Sequence, residues 1–362
     1  MATAWLLQRR GHRVLLIDPC LGAAVPEPGE SGSRAALGVL MARVFQRSSG
    51  RGWRLRQRSL ALWQAWRQEL AERGRPIAMR RGLLLLAADG AERERQERLL
   101  QDRRRQGHGL ELWEPERLAA LEPQLPAGAM GGLHSPQDGQ LDPLQALEAL
   151  HSDAIAAGLT GLGQAVAAVE PGPGGRGWRL VLADGQRFDS AWLVLCCGTA
   201  IPELLGRLDP ELGAAWALEP VLGQALDLEL PAAVARRFAQ GEAESGWPGV
   251  LVWQGMNLVP RPDLPGGRHL WLGATVEPGL QADPAALAAL RDLGGSAPPW
   301  LGEARLLRSW HGLRPRPVGR PAPLLETLAP GLLLAGGHHR NGVLLAPASA
   351  EWVLEQVQGE AG

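Results

Sequence analysis

The chain reads as an α/β protein whose parallel-sheet domain is discontinuous, with a second, mainly antiparallel domain inserted between its pieces. Three stretches of sequence predict this. Near the start come a helix over residues 1–11, ending in a glycine, and the apolar strand Arg13-Val14-Leu15-Leu16-Ile17-Asp18, which ends in an acid. That order is the second half of a βαβ unit. Near the end, the short apolar strand Leu332–Ala335 runs into Gly336-Gly337 and on towards a helix. In between, from about residue 215 to 310, the pattern is mostly strands and turns.

In the first helix, Ala4, Leu7 and the Ala2–Leu6 pair form an apolar face, and Gly11 suits a C-terminal cap. Residues 19–34 are rich in Gly, Pro and Ser and read as a loop. Ala35–Phe45 is apolar enough to open a helix. Leu60–Arg73 places Leu60, Leu62, Trp63, Trp66 and Leu70 along one side of a helix. Leu83–Ala87 is a buried strand, and residues 91–106 form a charged helix whose Arg103–Arg105 run reads as a solvated face. A helix over 146–157 follows. Val166–Glu170, Trp178–Ala183 and Ala191–Cys197 are strands, with Ala183-Asp184-Gly185 as the hairpin turn between the last two. Leu222–Glu229, Gly249–Trp253, Leu258–Arg261 and His269–Ala274 are the central strands, and Pro265-Gly266-Gly267 turns between two of them. Pro347–Gln358 is the final helix.

A length of 362 residues suits two domains. A net charge of −1 gives no electrostatic reason to expect nucleic acid or an anionic membrane as partner. Cys20, Cys196 and Cys197 are odd in number and two are adjacent, which argues against a disulfide framework. No Cys/His spacing suggests zinc, so no metal site is expected. No run reaches the ~18 apolar residues of a membrane span. Met1–Leu7 is apolar but Arg9 and Arg10 follow it, the reverse of a signal peptide, so a cytoplasmic setting is expected. The chain has only two Asn, Asn257 and Asn341, which makes both positions worth attention.

Asp18 ends its strand where a dinucleotide fold places the acid that accepts from ribose hydroxyls, although an Asp there is also an ordinary turn residue. Leu193–Cys197 is a buried strand running into Gly198-Thr199, where a backbone can approach a ligand closely. Gly29-Glu30-Ser31-Gly32-Ser33 lacks the spacing of a nucleophile elbow, which removes hydrolase chemistry. The most specific segment is Trp310-His311-Gly312-Leu313-Arg314-Pro315, followed after a loop by Leu334-Ala335-Gly336-Gly337-His338-His339-Arg340-Asn341-Gly342-Val343-Leu344-Leu345-Ala346-Pro347. His338 and His339 are adjacent in a turn and are not spaced as a metal pair.

That segment resembles the carboxyl-terminal signature of the FAD-dependent amino acid oxidases of the D-amino acid oxidase superfamily, closest to the glycine oxidases. Asp138–Pro143, Pro220–Gln224, Leu258–Arg261 and Gly273–Thr275 agree in the right order, and the similarity covers essentially the whole chain. The resemblance implies a discontinuous Rossmann-like FAD-binding domain (1–56, 141–214 and 310–362) and a mainly antiparallel substrate domain (57–140 and 215–309). It implies that Arg314 and Arg340 hold a substrate carboxylate, as forked guanidinium donors do. Residues 338–344, that is His338, His339, Arg340, Asn341, Gly342, Val343 and Leu344, correspond to the turn against the flavin ring. Val166 matches the adenine contact, Asp18 the ribose acid, and Gly32, Ser33, Leu37, Gly38 and Val39 the stretch lining the flavin; Gly198 joins them as a backbone approach.

The implied activity is oxidative deamination of a small amino acid or amine. A hydride passes from the α-carbon to flavin N5, the imine hydrolyses, and oxygen reoxidises non-covalent FAD with release of hydrogen peroxide. In this family such an enzyme can feed the thiazole branch of thiamine synthesis. A dehydrogenase using another electron acceptor, and a non-catalytic remnant that binds no FAD, are the alternatives. Covalent flavin is disfavoured because no Cys lies near the C-terminal turn. Two departures from the family pattern stand out. Met1 aligns just after the last glycine of G-x-G-x-x-G, so the first strand and glycine turn, on the order of 15 residues, are expected to be missing and FAD binding to suffer. Asn257 stands where the glycine oxidases usually place Tyr, and Val39 where they place Met.

Overall fold

The structure is a computed structural model and describes residues 1–21, 31–240 and 246–359. The loop expected over 19–34 therefore lies partly outside the described residues, as does Gly29-Glu30. Helices are α1 (Ala2–Arg9), α2 (Gly50–Glu72), α3 (Gly90–Arg105), α4 (Pro115–Ala119), α5 (Pro143–Ala156), α6 (Ile201–Leu208), α7 (Pro210–Ala215), α8 (Ala232–Gln240), α9 (Pro284–Arg291), α10 (Pro299–Glu303) and α11 (Gly342–Gly359). Strands are β1 (Leu15–Ile17), β2 (Val39–Leu40), β3 (Met79–Leu86), β4 (Glu111–Trp113), β5 (Gly132–Leu141), β6 (Thr160–Leu162), β7 (Val166–Pro171), β8 (Trp178–Leu182), β9 (Arg187–Ser190), β10 (Leu193–Leu195), β11 (Leu218–Glu229), β12 (Val250–Trp253), β13 (Met256–Arg261), β14 (His269–Gly273), β15 (Glu277–Pro278), β16 (Arg305–Pro317), β17 (Leu324–Ala329) and β18 (Leu332–Gly336).

One ten-stranded sheet runs in the order β15-β11-β14-β13-β12-β3-β5-β2, with β16 on β11 and β4 on β5. Its longest pairing joins β11 to β16, from Leu218 opposite Pro317 to Glu229 opposite Arg305. That pairing carries Arg314 opposite Val221. Within the large sheet β12 and β3 run parallel. Two small sheets are built on further parallel pairs: β1 with β6, and β10 with β18, to which β17 adds antiparallel. An antiparallel trio, β7-β8-β9, stands apart.

Helices α1, α2, α5 and α11 close one core around Trp5, Trp63, Trp66, Leu70, Leu150 and Val353, all buried. Trp5 packs on Trp66 at 4.6 Å between ring centroids and donates to Asp153 at 2.8 Å, so its polar edge is satisfied as well as its face. Truncating one of these tryptophans to Ala would cost about 3–5 kcal/mol. Helix α11 contains Pro347, which cannot donate to the Val343 carbonyl one turn back. Trp63 Nε1 of α2 supplies that missing bond at 2.9 Å, and Ser59 Oγ takes the next amide, Ala348, at 3.0 Å. The two helices are thereby fixed to each other at the end of α11 that carries the family turn.

The long helices and most strands stand where the sequence placed them. Four local expectations are corrected. Ala35–Phe45 forms no helix: β2 pairs with β5, and the buried Asp138 carboxylate accepts the backbone amides of Ala42, Arg43 and Val44 at 2.8–3.0 Å. Three amides held by one side chain cannot also bond carbonyls four residues back. Arg103 is not solvated but fully buried, donating to the carbonyls of Arg43, Phe45 and Arg47, whereas Arg104 and Arg105 are exposed. The Ala183-Asp184-Gly185 turn leads from β8 into β9, and the next strand, β10, joins a different sheet. Among the described residues the 215–310 region also holds three helices, α8, α9 and α10; α9 starts where Asp283 caps Ala285 N at 2.8 Å.

Candidate active site

A cavity of about 1910 Å³ lies where the two parallel sheets meet the large sheet. Strand β1 and Asp18 line it on one side, β10 and Gly198 on another. The segment 31–39, residues 312–315 of β16 and the turn leading into α11 complete the wall. Of the residues singled out from the sequence, Asp18, Gly32, Ser33, Leu37, Gly38, Val39, Val166, Gly198, Asn257, Arg314, His338, His339, Arg340, Gly342, Val343 and Leu344 all line this one cavity; Asn341 does not.

Arg314 is held by backbone. Its Nη1 donates to the Thr275 carbonyl at 2.9 Å and, more weakly, to the Leu222 carbonyl at 3.5 Å. The guanidinium lies flat on Gly223, where a Cβ would come within 2.1 Å of Nη2. Only a residue without a side chain leaves that space. Neither Nε nor Nη2 has a protein acceptor among the described residues, and no carboxylate lies within ion-pair distance. Burial pushes the guanidinium down to about 10; Arg340 pushes the same way, and Glu277 opposes both. A half-buried cation with two free donors that opens on a cavity is suited to an anion.

Arg340 reaches from the C-terminal turn to the Gly255 carbonyl at 2.9 Å, at the tip between β12 and β13. Asn257 on β13 donates through Nδ2 to the Gly273 carbonyl at 3.0 Å, so its side chain lies against the wall. His338 shares a hydrogen bond with Ser349 Oγ at 2.8 Å, and burial holds its pKa down to about 4, which keeps the ring neutral. His339 adopts the left-handed conformation, φ 52°, and its buried Nε2 has no partner among the described residues. Its pKa is lowered, first by burial and then by Arg314 and Arg340.

The other end of the cavity suits a nucleotide. Asp18 Oδ1 accepts from Cys20 N at 2.8 Å, an ordinary turn bond; among the described residues the second carboxylate oxygen has no further partner. Met1, Ala2 and Thr3 bring the start of α1 to the cavity, and Gly342 and Val343 bring the start of α11. Both helix starts carry unpaired N–H groups and a positive dipole end. Gly32 and Gly38 allow the 31–39 segment to press against protein backbone: a Cβ at Gly32 would meet the Leu313 carbonyl at 2.6 Å, and one at Gly38 the Leu141 carbonyl at 1.9 Å. The size of the cavity, its two helix starts and the orphaned His339 Nε2 fit FAD. Gly223 and Thr275, which touch Arg314, and Glu277, which accepts from the Thr275 hydroxyl, were not singled out as site residues; the motif pieces Pro220–Gln224 and Gly273–Thr275 were the signal that pointed near them. Among the described residues, no group of three or more His, Cys, Asp or Glu is arranged to hold a metal ion, and no helix is long and apolar enough to cross a membrane.

The family model described as FAD dependent oxidoreductase matches residues 1–356. The chain belongs to that family. This FAD-dependent oxidoreductase is 26% identical over 364 residues to the glycine oxidase of Geobacillus kaustophilus, a match covering 99% of this chain and 89% of the relative. It is 30% identical over 249 residues to the bifunctional protein ThiO/ThiG of Synechocystis sp., covering 67% of this chain and 34% of that one. Its fold superposes on the crystal structure of glycine oxidase from Geobacillus kaustophilus with a TM-score of 0.83 and 25% identity, over 99% of this chain and 91% of the other. FAD is the cofactor of the family.

Proposed function

We propose that this FAD-dependent oxidoreductase oxidises a small amino acid or related amine in the manner of a glycine oxidase, with oxygen as electron acceptor. The carrying observation is Arg314, held on the Thr275 carbonyl with two donors free, in the same cavity as the C-terminal turn. In this reading the substrate carboxylate lies on Arg314 and Arg340, and Asn257 lines the space for the side chain. When bound, FAD supplies a two-electron acceptor for the hydride that leaves the α-carbon. The rest is positioning. A substrate whose amine is already neutral needs no strong side-chain base, and the histidines nearby are held neutral by burial. Amino acid, oxygen and water then balance as 2-oxo acid, ammonia and hydrogen peroxide. Residues 1–56, 141–214 and 310–362 are assigned to the FAD-binding domain, and 57–140 and 215–309 to the substrate domain.

The test is a panel of small amino acids and amines on flavin-loaded protein, following peroxide and oxygen uptake. Peroxide formed in step with substrate loss is the expected result. Flavin bleaching without peroxide would instead point to another electron acceptor, and the absence of both would end the proposal.

A further inference from the structure

The Glu277 carboxylate is buried at the edge of the large sheet, on β15 opposite Leu222 of β11. Three groups donate to it. Gln224 Nε2 contacts both oxygens at 3.0 and 3.2 Å, Asp283 N donates to Oε2 at 2.7 Å, and the Thr275 hydroxyl donates to Oε1. No cation lies within ion-pair distance of it among the described residues. A carboxylate buried in this way is costly unless its surroundings need the charge. What it organises is the wall behind Arg314. Thr275 is tied at three points: its hydroxyl to Glu277 and to Gln224 N at 2.7 Å, and its own amide to the Gln224 carbonyl at 3.2 Å. The remaining polar group of Thr275, its carbonyl, is the one that holds Arg314 Nη1 at 2.9 Å.

We propose that Glu277 is a positioning residue for Arg314: it fixes Thr275 so that the Thr275 carbonyl takes Nη1 and leaves Nε and Nη2 for a substrate carboxylate. The negative charge also favours the charged form of the half-buried guanidinium, against the pull of desolvation and of Arg340. A glutamine here cannot replace it. Its amide group would face donors with hydrogens of its own, and the charge opposite Arg314 would be gone. The proposal rests on the reading that Arg314 binds the substrate carboxylate.

The experiment uses the flavin-loaded protein and acetate, a carboxylate with no amine to oxidise, titrated by calorimetry and by its effect on the flavin spectrum. Arg314→Met first tests the underlying reading and should abolish acetate binding; unchanged binding removes that reading and this proposal with it. Given that loss, Glu277→Gln should weaken acetate about tenfold or more, a loss of about 1.4 kcal/mol per decade. It should raise KM for an amino acid by a similar factor, change kcat little, and leave KM for propylamine, which has no carboxylate, unchanged. Thr275→Val, which keeps the shape and removes the hydroxyl, should move acetate affinity in the same direction, and decides the matter if Glu277→Gln does not fold. Unchanged acetate affinity in a folded variant, or equal losses with acetate and propylamine, would overturn the proposal.

Discussion

Arg314 and Asn257 face the same cavity with opposite demands, one for charge and one for shape. Replacing Arg314 by Met removes a charge-assisted contact to the substrate carboxylate. It should raise KM for amino acids by about 2–5 kcal/mol in binding terms, while flavin content stays at the wild-type level and simple amines are indifferent. Steady-state kinetics on both substrate classes check this; an unchanged KM for amino acids removes Arg314 from the site. Asn257 spends its amide on the Gly273 carbonyl and fills less space than a Tyr. Asn257→Tyr should therefore shift preference towards glycine. The measurement is the ratio of kcat/KM for glycine to that for a bulkier amino acid, and a ratio that does not move would place Asn257 outside the pocket.

At the scale of elements, the β11–β16 pairing determines where Arg314 can lie, and Gly223 is its tightest point. Gly223→Ala would put a methyl group 2.1 Å from Nη2, too close to coexist with it. The guanidinium must leave the Thr275 carbonyl, so the variant should reproduce much of the Arg314→Met rise in KM without loss of fold. Melting temperature and KM measured together separate that from general damage. Helix α11 makes a different demand, through His338. Its folded pKa of about 4 lies below the ordinary histidine value of 6.5. The unfolded chain therefore takes up the proton first as pH falls, and native stability is lost between pH 6.5 and 4, on the order of 3 kcal/mol for this group. Buried His134 acts in the same direction. His338→Gln should flatten the acid side of the stability profile in denaturant titrations; an unaltered slope would mean that the ring is not neutral in the fold.

For the molecule as a whole, the cavity is the junction of four sheets, the β7-β8-β9 trio lining it through Val166, Leu180 and Phe188, and a ligand filling it contacts all of them. FAD should raise the melting temperature in a concentration-dependent way, since it binds the folded state and not the unfolded chain. Riboflavin, which lacks the adenine half that would reach Asp18 and Val166, should raise it less. Equal shifts from the two would argue against the nucleotide end of the site. The elements around this junction differed in how legible they were. Helix α2 and strands β12 to β14 could be read directly, because hydrophobic periodicity is a local property. The C-terminal segment from Trp310 to Pro347 was legible for another reason: its glycines, arginines and single Asn form a pattern too specific for ordinary packing. Contacts between residues far apart in the chain decided the rest. Arg103 looked like one of three solvated arginines until the carbonyls of Arg43, Phe45 and Arg47 were brought around it. Ala35–Phe45 had the composition of a helix, but Asp138, some 95 positions away in the chain, took its amides. Glu277 had no local signal at all; its role comes from strand pairing that sets it beside Gln224 and behind Arg314. Periodicity and motif are written into neighbouring residues, whereas the partner of a buried charge is chosen only when distant strands meet.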